Sequence, residues 1–179
     1  MKQKMDLKKY IRSIPDYPKK GILFRDITTL IKDKDAFKNC IDQMSEILNK
    51  LDYNKIAAIE SRGFIFASPL CFNLNKSYIL MRKKNKLPAE KHSVDFELEY
   101  GKATLEIHKD SISPNEKVII VDDLIATGGT AEAAAKLVEK SGGKVAGFIF
   151  AINLFDLGGK NKLEKKGYKT FSLMDFPGH

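Results

Sequence analysis

The chain has 179 residues and a formal net charge of +8, from 31 basic against 23 acidic side chains. That length suits one domain with a sizeable core, and no segment approaches the ~20 consecutive apolar residues of a membrane span. Two cysteines, with no Cys/His cluster, exclude a disulfide framework and a structural zinc site. Cys40 and Cys71 each sit in an apolar helical pattern and are expected to be reduced core thiols of a cytoplasmic protein. Residues 1–9 are polar and basic, without the apolar core of a signal peptide. The basic excess suits a polyanionic partner, either nucleic acid or a small phosphorylated molecule. Lysines scattered over turns and helix faces explain it equally well.

Taken in order, residues 5–14 place Met5, Tyr10, Ile11 and Ile14 on one side of a helical repeat, predicting a short amphipathic helix that Pro15 ends. A turn-rich loop with Pro18 and Gly21 follows. Residues 22–27 are apolar except for Arg25-Asp26, which by themselves read as a local ion pair. Residues 35–51 predict a helix, with Phe37, Ile41, Met44, Ile47, Leu48 and Leu51 on one face. Residues 55–59 predict a strand that ends in the polar turn Glu60-Ser61-Arg62-Gly63, and a helix follows over 64–73. At a strand's carboxyl end Arg62 is placed to hold a phosphate with two parallel N–H groups; alone, it reads equally as a surface ion pair.

Residues 77–81 predict the next strand, and a basic run of Arg82, Lys83, Lys84, Lys86 and Lys91 follows against the single acid Glu90. Because the run starts at a strand's carboxyl end, it is expected to face an anion. Residues 93–99 and 104–108 alternate apolar and polar side chains around Tyr100-Gly101-Lys102. They predict an antiparallel ribbon projecting from the sheet as a lid, spanning about residues 83–108. Glu106 and His108 read as ordinary surface positions of that ribbon.

Residues 117–139 organise the chain. Val118, Ile119, Ile120 and Val121 form a β-branched run of the kind that is buried on both faces of a parallel sheet. Asp122 and Asp123 follow at its carboxyl end, then the loop Ala126-Thr127-Gly128-Gly129-Thr130, then an alanine-rich helix from about Ala131. A glycine-rich turn entering a helix offers backbone N–H groups and a positive dipole end to a phosphate. Adjacent carboxylates would repel a bare phosphate, but they accept hydrogen bonds from a sugar diol. The segment therefore reads as a ribose 5-phosphate site, with the acids for the hydroxyls and the loop for the phosphate. The loop has no lysine, so it is not a Walker-type P-loop, and its glycines do not follow GxGxxG. The bland alternative is a strand–turn–helix junction with two solvated acids. Beyond it, residues 145–154 predict a long apolar strand, 157–166 a short basic helix and 168–173 a last, edge strand. Strands alternate with helices, and each polar turn falls at a carboxyl end, so the fold class is α/β: one domain over 1–179 with a parallel sheet flanked by helices.

Residues 118–130 match at every position the thirteen-residue 5-phosphoribosyl-1-diphosphate (PRPP) motif of type I phosphoribosyltransferases. The chain also resembles the adenine-specific family of those enzymes over about residues 5–175. GILFRDI (21–27), SRGF (61–64), Arg82-Lys83 with Lys86-Leu87-Pro88, LEYGK (98–102) and LEIHKD (105–110) occur in that family's order and spacing. The resemblance implies the type I, Rossmann-like fold with a small antiparallel lid or hood. It implies transfer of ribose 5-phosphate from PRPP to N9 of adenine, with Mg2+ held mainly by substrate oxygens, in a homodimer that binds no nucleic acid and no membrane. By the same resemblance, Asp122, Asp123, Ala126, Thr127, Gly128, Gly129 and Thr130 bind the ribose phosphate. Phe24, Arg25 (largely through its backbone) and Leu154 bind adenine. Ser61, Arg62, Arg82, Lys83 and Lys86 hold the diphosphate, with Arg62 and Lys86 acting on the leaving group. Glu99 is the acid–base candidate, Tyr100 belongs to the lid, and the peptide between Glu60 and Ser61 is expected to be cis. Asn153 departs from the family's usual acid at its position. Two other readings stay open: transfer to hypoxanthine, guanine or xanthine, and a non-catalytic PRPP sensor that binds DNA.

Overall fold

A computed structural model of the chain describes residues 5–97 and 101–179. A 3₁₀ turn, Leu7–Tyr10, leads into strand β1 (Arg12–Pro15), which pairs antiparallel with β2 (Leu23–Asp26). The helix expected over 5–14 is thus one tight turn and a strand. Pro15 disfavours helical backbone in the residue before it, and cross-strand partners complete the case: Arg12 Nε donates to Asp26 Oδ2 at 3.0 Å and Arg25 Nη1 donates to Ser13 Oγ. Nor do Arg25 and Asp26 pair with each other, because neighbours on a strand point to opposite faces. Asp26 instead also accepts from Thr28 N at 2.8 Å, at the start of helix α1 (Thr28–Lys32).

Helix α2 (Lys34–Leu48) is capped by Asp33, whose carboxylate accepts from Asp35 N and Ala36 N, and it buries Ala36, Cys40, Ile41, Met44 and Leu48. Then come β3 (Lys55–Ile59), α3 (Arg62–Leu74), β4 (Ser77–Lys83), β5 (Lys91–Glu97), β6 (Lys102–His108), β7 (Lys117–Ile125), α4 (Gly129–Lys140), β8 (Lys144–Leu154), α5 (Gly159–Lys165) and β9 (Thr170–Phe176). The described residues form a seven-stranded sheet in the order β5-β6-β4-β3-β7-β8-β9, parallel from β4 to β9. The ribbon β5-β6 extends this sheet by antiparallel pairing of Arg82 with Glu106 and Lys83 with Leu105.

Alternation on the central strands feeds two cores. Ile56 and Ala58 of β3 and Ile119 and Val121 of β7 join the cluster under α2 and α3. Ala57, Ile59, Val118 and Ile120 join the opposite cluster under α4. Cys40 and Cys71 are buried free thiols, and burial pushes the Cys40 thiol up to about 12 and that of Cys71 to about 11. Among the described residues, no helix is long and apolar enough to cross a membrane.

Two expectations change here. Asp122 and Asp123 lie within β7 rather than beyond its end. Pairing with β3 stops at Val121, while pairing with β8 runs on to Ile125. One edge of β7 therefore opens at the acids, and α3 begins beside that opening. Glu106 is not a surface residue; it is 3% exposed. Its carboxylate accepts from Asn85 N at 3.0 Å and lies 3.9 Å from Lys91 Nζ.

Candidate active site

The opened edge of β7 places two carboxylates side by side. Asp123 N donates to Asp122 Oδ1 at 2.9 Å, and Asp123 Oδ2 lies 2.9 Å from Arg62 Nε. That last contact is an ion pair without hydrogen-bond alignment, so Asp123 Oδ2 stays a buried oxygen with no hydrogen-bond partner. Burial first, and then the neighbouring Asp123 charge, push the Asp122 carboxyl well above the usual range. Burial also raises Asp123, opposed by Arg62. A desolvated acid pair with an open oxygen is short of donors, and hydroxyls or a hydrated cation supply them.

The loop after the acids is shaped by close backbone packing. Gly128 caps α4 in the left-handed conformation, φ +85°, where a side chain is strained. Gly159, at the start of α5, donates its N–H to Ala126 O at 2.9 Å. A Cβ on Gly159 would fall 2.3 Å from Ala126 O and 2.7 Å from Gly128 N. Gly159 thus supports the loop from below, a role outside the motifs singled out in the sequence. The N-terminus of α4 brings free N–H groups to the loop. Its first-turn acid, Glu132, is ion-paired with Lys162 and Lys166.

Around these groups lies a cavity of about 510 Å³, lined by Ser61, Arg62, Lys83, Asp122, Asp123 and the loop from Ala126 to Thr130. The Glu60–Ser61 peptide is cis. The other two basic residues expected here, Arg82 and Lys86, do not line it. Arg82 Nε donates to Glu60 Oε2 at 3.2 Å and its Nη1 to Lys86 O at 3.3 Å. Glu60 also accepts Lys83 N at 2.8 Å. The basic turn is therefore fastened by Glu60 on one side and Glu106 on the other.

A second cavity, of about 420 Å³, adjoins the first across Arg62 and the loop. Phe24, Arg25 and Leu154 line it together, as the resemblance implied, and Leu157, Gly178 and His179 join them. Those last three carry no motif and were missed. Among the described residues strand β2 pairs only with β1, so its outer edge keeps backbone N–H and C=O groups available to a ligand. The Arg62 guanidinium lies 5.6 Å from the Phe24 ring centroid, linking the apolar cavity to the acids. Asn153 lines neither cavity; its Nδ2 donates to Asp175 Oδ1 at 2.8 Å on β9. Glu99 and Tyr100 fall outside the described residues. The last described residue before them, Glu97, lines the apolar cavity, and its carbonyl oxygen would lie 3.2 Å from a Cβ at Gly129.

Comparison with known proteins agrees with this geometry. The model of the phosphoribosyl transferase domain matches residues 27–177. An adenine phosphoribosyltransferase of Pelagibacter ubique (strain HTCC1062) is 71% identical over 175 residues, which span 98% of this chain and 100% of that protein. The crystal structure of adenine phosphoribosyltransferase from Thermoanaerobacter pseudethanolicus superposes with a TM-score of 0.91 at 48% identity, covering 96% of this chain and 98% of that one. The Saccharomyces cerevisiae enzyme, crystallised with an imino-altritol bisphosphate and adenine, gives 0.86 at 35% identity, over 93% and 96% of the two chains.

Proposed function

Because the chain belongs to the phosphoribosyl transferase family, we propose that it is the adenine-specific enzyme, transferring ribose 5-phosphate from PRPP to adenine. The observation that carries this reading is the junction at Arg62. On one side lie a desolvated diacid and an N–H-rich loop; on the other lies an apolar cavity beside a free strand edge. Asp122 and Asp123 accept from the ribose hydroxyls, and the loop 126–130 takes the 5-phosphate. Adenine lies in the second cavity against Phe24 and Leu154. The β2 backbone of Phe24 and Arg25 reads its amino edge: a C=O accepts from the exocyclic amine and an N–H donates to a ring nitrogen. A 6-oxo purine would set an acceptor against that C=O, leaving both unpaired, which discriminates strongly.

In the reaction, N9 of adenine forms a bond to C1 of the ribose as the C1–oxygen bond to diphosphate breaks. The bonding pair leaves with the diphosphate, and the N9 proton is released. Positive charge builds on the sugar ring and negative charge on the leaving group. Arg62 and Lys83, with Ser61, balance the latter electrostatically. Arg82 and Lys86 contribute by shaping the turn that presents Lys83. Glu99 is the acid–base candidate on the purine nitrogens; Glu99→Gln should lower kcat by roughly 10²–10⁴-fold with little loss of binding. An unaltered kcat would remove it from the mechanism.

Mg2+ suits the donors present. Asp122 and Asp123 offer hard oxygens, one of them buried and without a hydrogen bond, though ion-paired with Arg62, and no cluster of three or more His, Cys, Asp or Glu side chains forms a cage among the described residues. The ion would then rest mainly on substrate oxygens near these acids. When bound it neutralises charge on the departing diphosphate.

The deciding experiment is AMP formation from adenine and PRPP with and without magnesium. The expected result is magnesium-dependent AMP and diphosphate, with adenine used far faster than hypoxanthine; faster use of hypoxanthine would overturn the adenine assignment. The same reading makes the protein a cytoplasmic homodimer. Phe72 on α3 is 88% exposed, which suits a surface that a second copy covers. Sedimentation at twice the 20.2 kDa chain mass is the expected outcome.

A further inference from the structure

Resting on the reading of the second cavity as the adenine site, we infer that residues 177–179 form a wall of that pocket, held in place by Asp156 and by the side chain of Arg25. Strand β9 ends at Phe176, and the chain then turns so that Gly178 and His179 line the cavity. Two anchors hold this tail. Arg25 Nη2 donates to Pro177 O at 2.7 Å, with its guanidinium 4.8 Å from the centroid of the Phe176 ring. Gly178 N donates to Asp156 Oδ1 at 2.7 Å. The tail lies so close that a Cβ on Gly178 would fall 2.7 Å from Leu157 Cγ and 3.0 Å from Asp156 Oδ1.

Arg25 as a whole is 6% exposed, and burying its charged group is costly unless it is hydrogen-bonded. Its bonds go to Ser13 Oγ and to the tail's carbonyl. One residue therefore serves the pocket twice. Its backbone lies on the strand edge that reads the base, and its side chain grips the opposite end of the chain. Asp156 is a positioning residue in the same sense. It does not face the reacting atoms, yet it decides where Gly178 and His179 stand.

The consequence is a split between substrates. Loosening the tail should weaken adenine binding and leave PRPP binding alone, because the PRPP cavity takes no residue from the tail. Steady-state kinetics of Asp156→Ala test this, with the KM for adenine expected to rise roughly fivefold, the effect of one lost hydrogen bond. The KM for PRPP should stay within about twofold under the same principle. Asp156→Asn keeps the accepting oxygen and should recover most of the loss. Removal of residues 177–179 should shift the same parameter at least as far, and Gly178→Ala provides an independent variant should either of these fail to fold. Unchanged adenine KM in the folded variants would overturn the proposal, as would parallel rises in both KM values with a lowered Tm. If the unaltered chain made no AMP, the functional reading itself would fall. If it made AMP while the variants kept their adenine KM, only the role of the tail would.

Discussion

On the diacid side of the site, one uninterrupted run, residues 122–130, supplies both acids and the loop, whereas the apolar cavity takes Phe24 from near one end of the chain, Leu154 from β8 and Gly178 from the other end. The two sides also treat their carboxylates in opposite ways. Asp122 and Asp123 are crowded together and desolvated, so their acidities fall and they resist carrying charge. Asp26, beside the apolar cavity, accepts from Thr28 N and Oγ1 and pairs with Arg12; these bonds, the backbone one first, hold its carboxyl down at about 2. The pair has Arg62 as a cationic partner but no hydrogen-bond donor at Asp123 Oδ2. The other acid is fully partnered and stabilises the scaffold.

That contrast can be broken by substitution. The largest effect on PRPP binding is expected of Asp123→Asn, which removes the charged acceptor proposed for the ribose hydroxyls. PRPP affinity should fall roughly 10- to 100-fold, as for hydrogen bonds to charged groups, and calorimetric titration of PRPP would measure it. An unchanged affinity would mean the diol does not dock there. Next comes Gly159→Ala. Its Cβ would meet backbone at 2.3 Å, and backbone cannot swing aside as a side-chain tip does. The loop must move, and the KM for PRPP should rise roughly tenfold, in line with the usual cost of overpacking. A normal KM would show that α5 gives way instead of the loop.

The remaining two predictions concern stability and have opposite signs. Asp26 has a folded value of about 2, below the ordinary ~3.9 of an aspartate. Its contribution is therefore present above about pH 4 and lost as pH falls towards 2. Asp26→Asn should cost roughly 2 kcal/mol near neutral pH, with the gap to the unaltered protein closing in acid and PRPP binding retained. Asp122 is raised in the folded state, so its ionisation destabilises the fold as pH rises above the ordinary aspartate range. Asp122→Asn should therefore raise Tm at neutral pH while weakening PRPP binding, and its advantage should shrink as pH falls. Thermal melts from pH 4 to 8 would read both. A Tm that moved the same way in the two variants would dissolve the contrast.

The diacid and the glycine loop were legible in the sequence because each of their parts is local. A β-branched run, two acids, a glycine turn and a small-residue helix follow in order, and backbone geometry converts that order into a site. The boundaries of β3 were also legible, since burial on both faces needs a continuous apolar run. Residues 5–14 were misread because their apolar spacing fits a helix, while the strand they form depends on Asp26 and Arg25 across β2. Glu106 alternates like a surface residue, and only Asn85, Ser93 and Lys91, brought in by the basic turn and β5, make it a buried anchor.

The amino-acid order alone determined the sheet's central strands, the diacid and the glycine loop, since those depend on residues next to one another and on the two-residue and 3.6-residue repeats. Tertiary structure decided the second cavity. Arg25 meets Pro177 across 152 positions of chain, and no local periodicity signals a hydrogen bond between residues that only the folded sheet brings together.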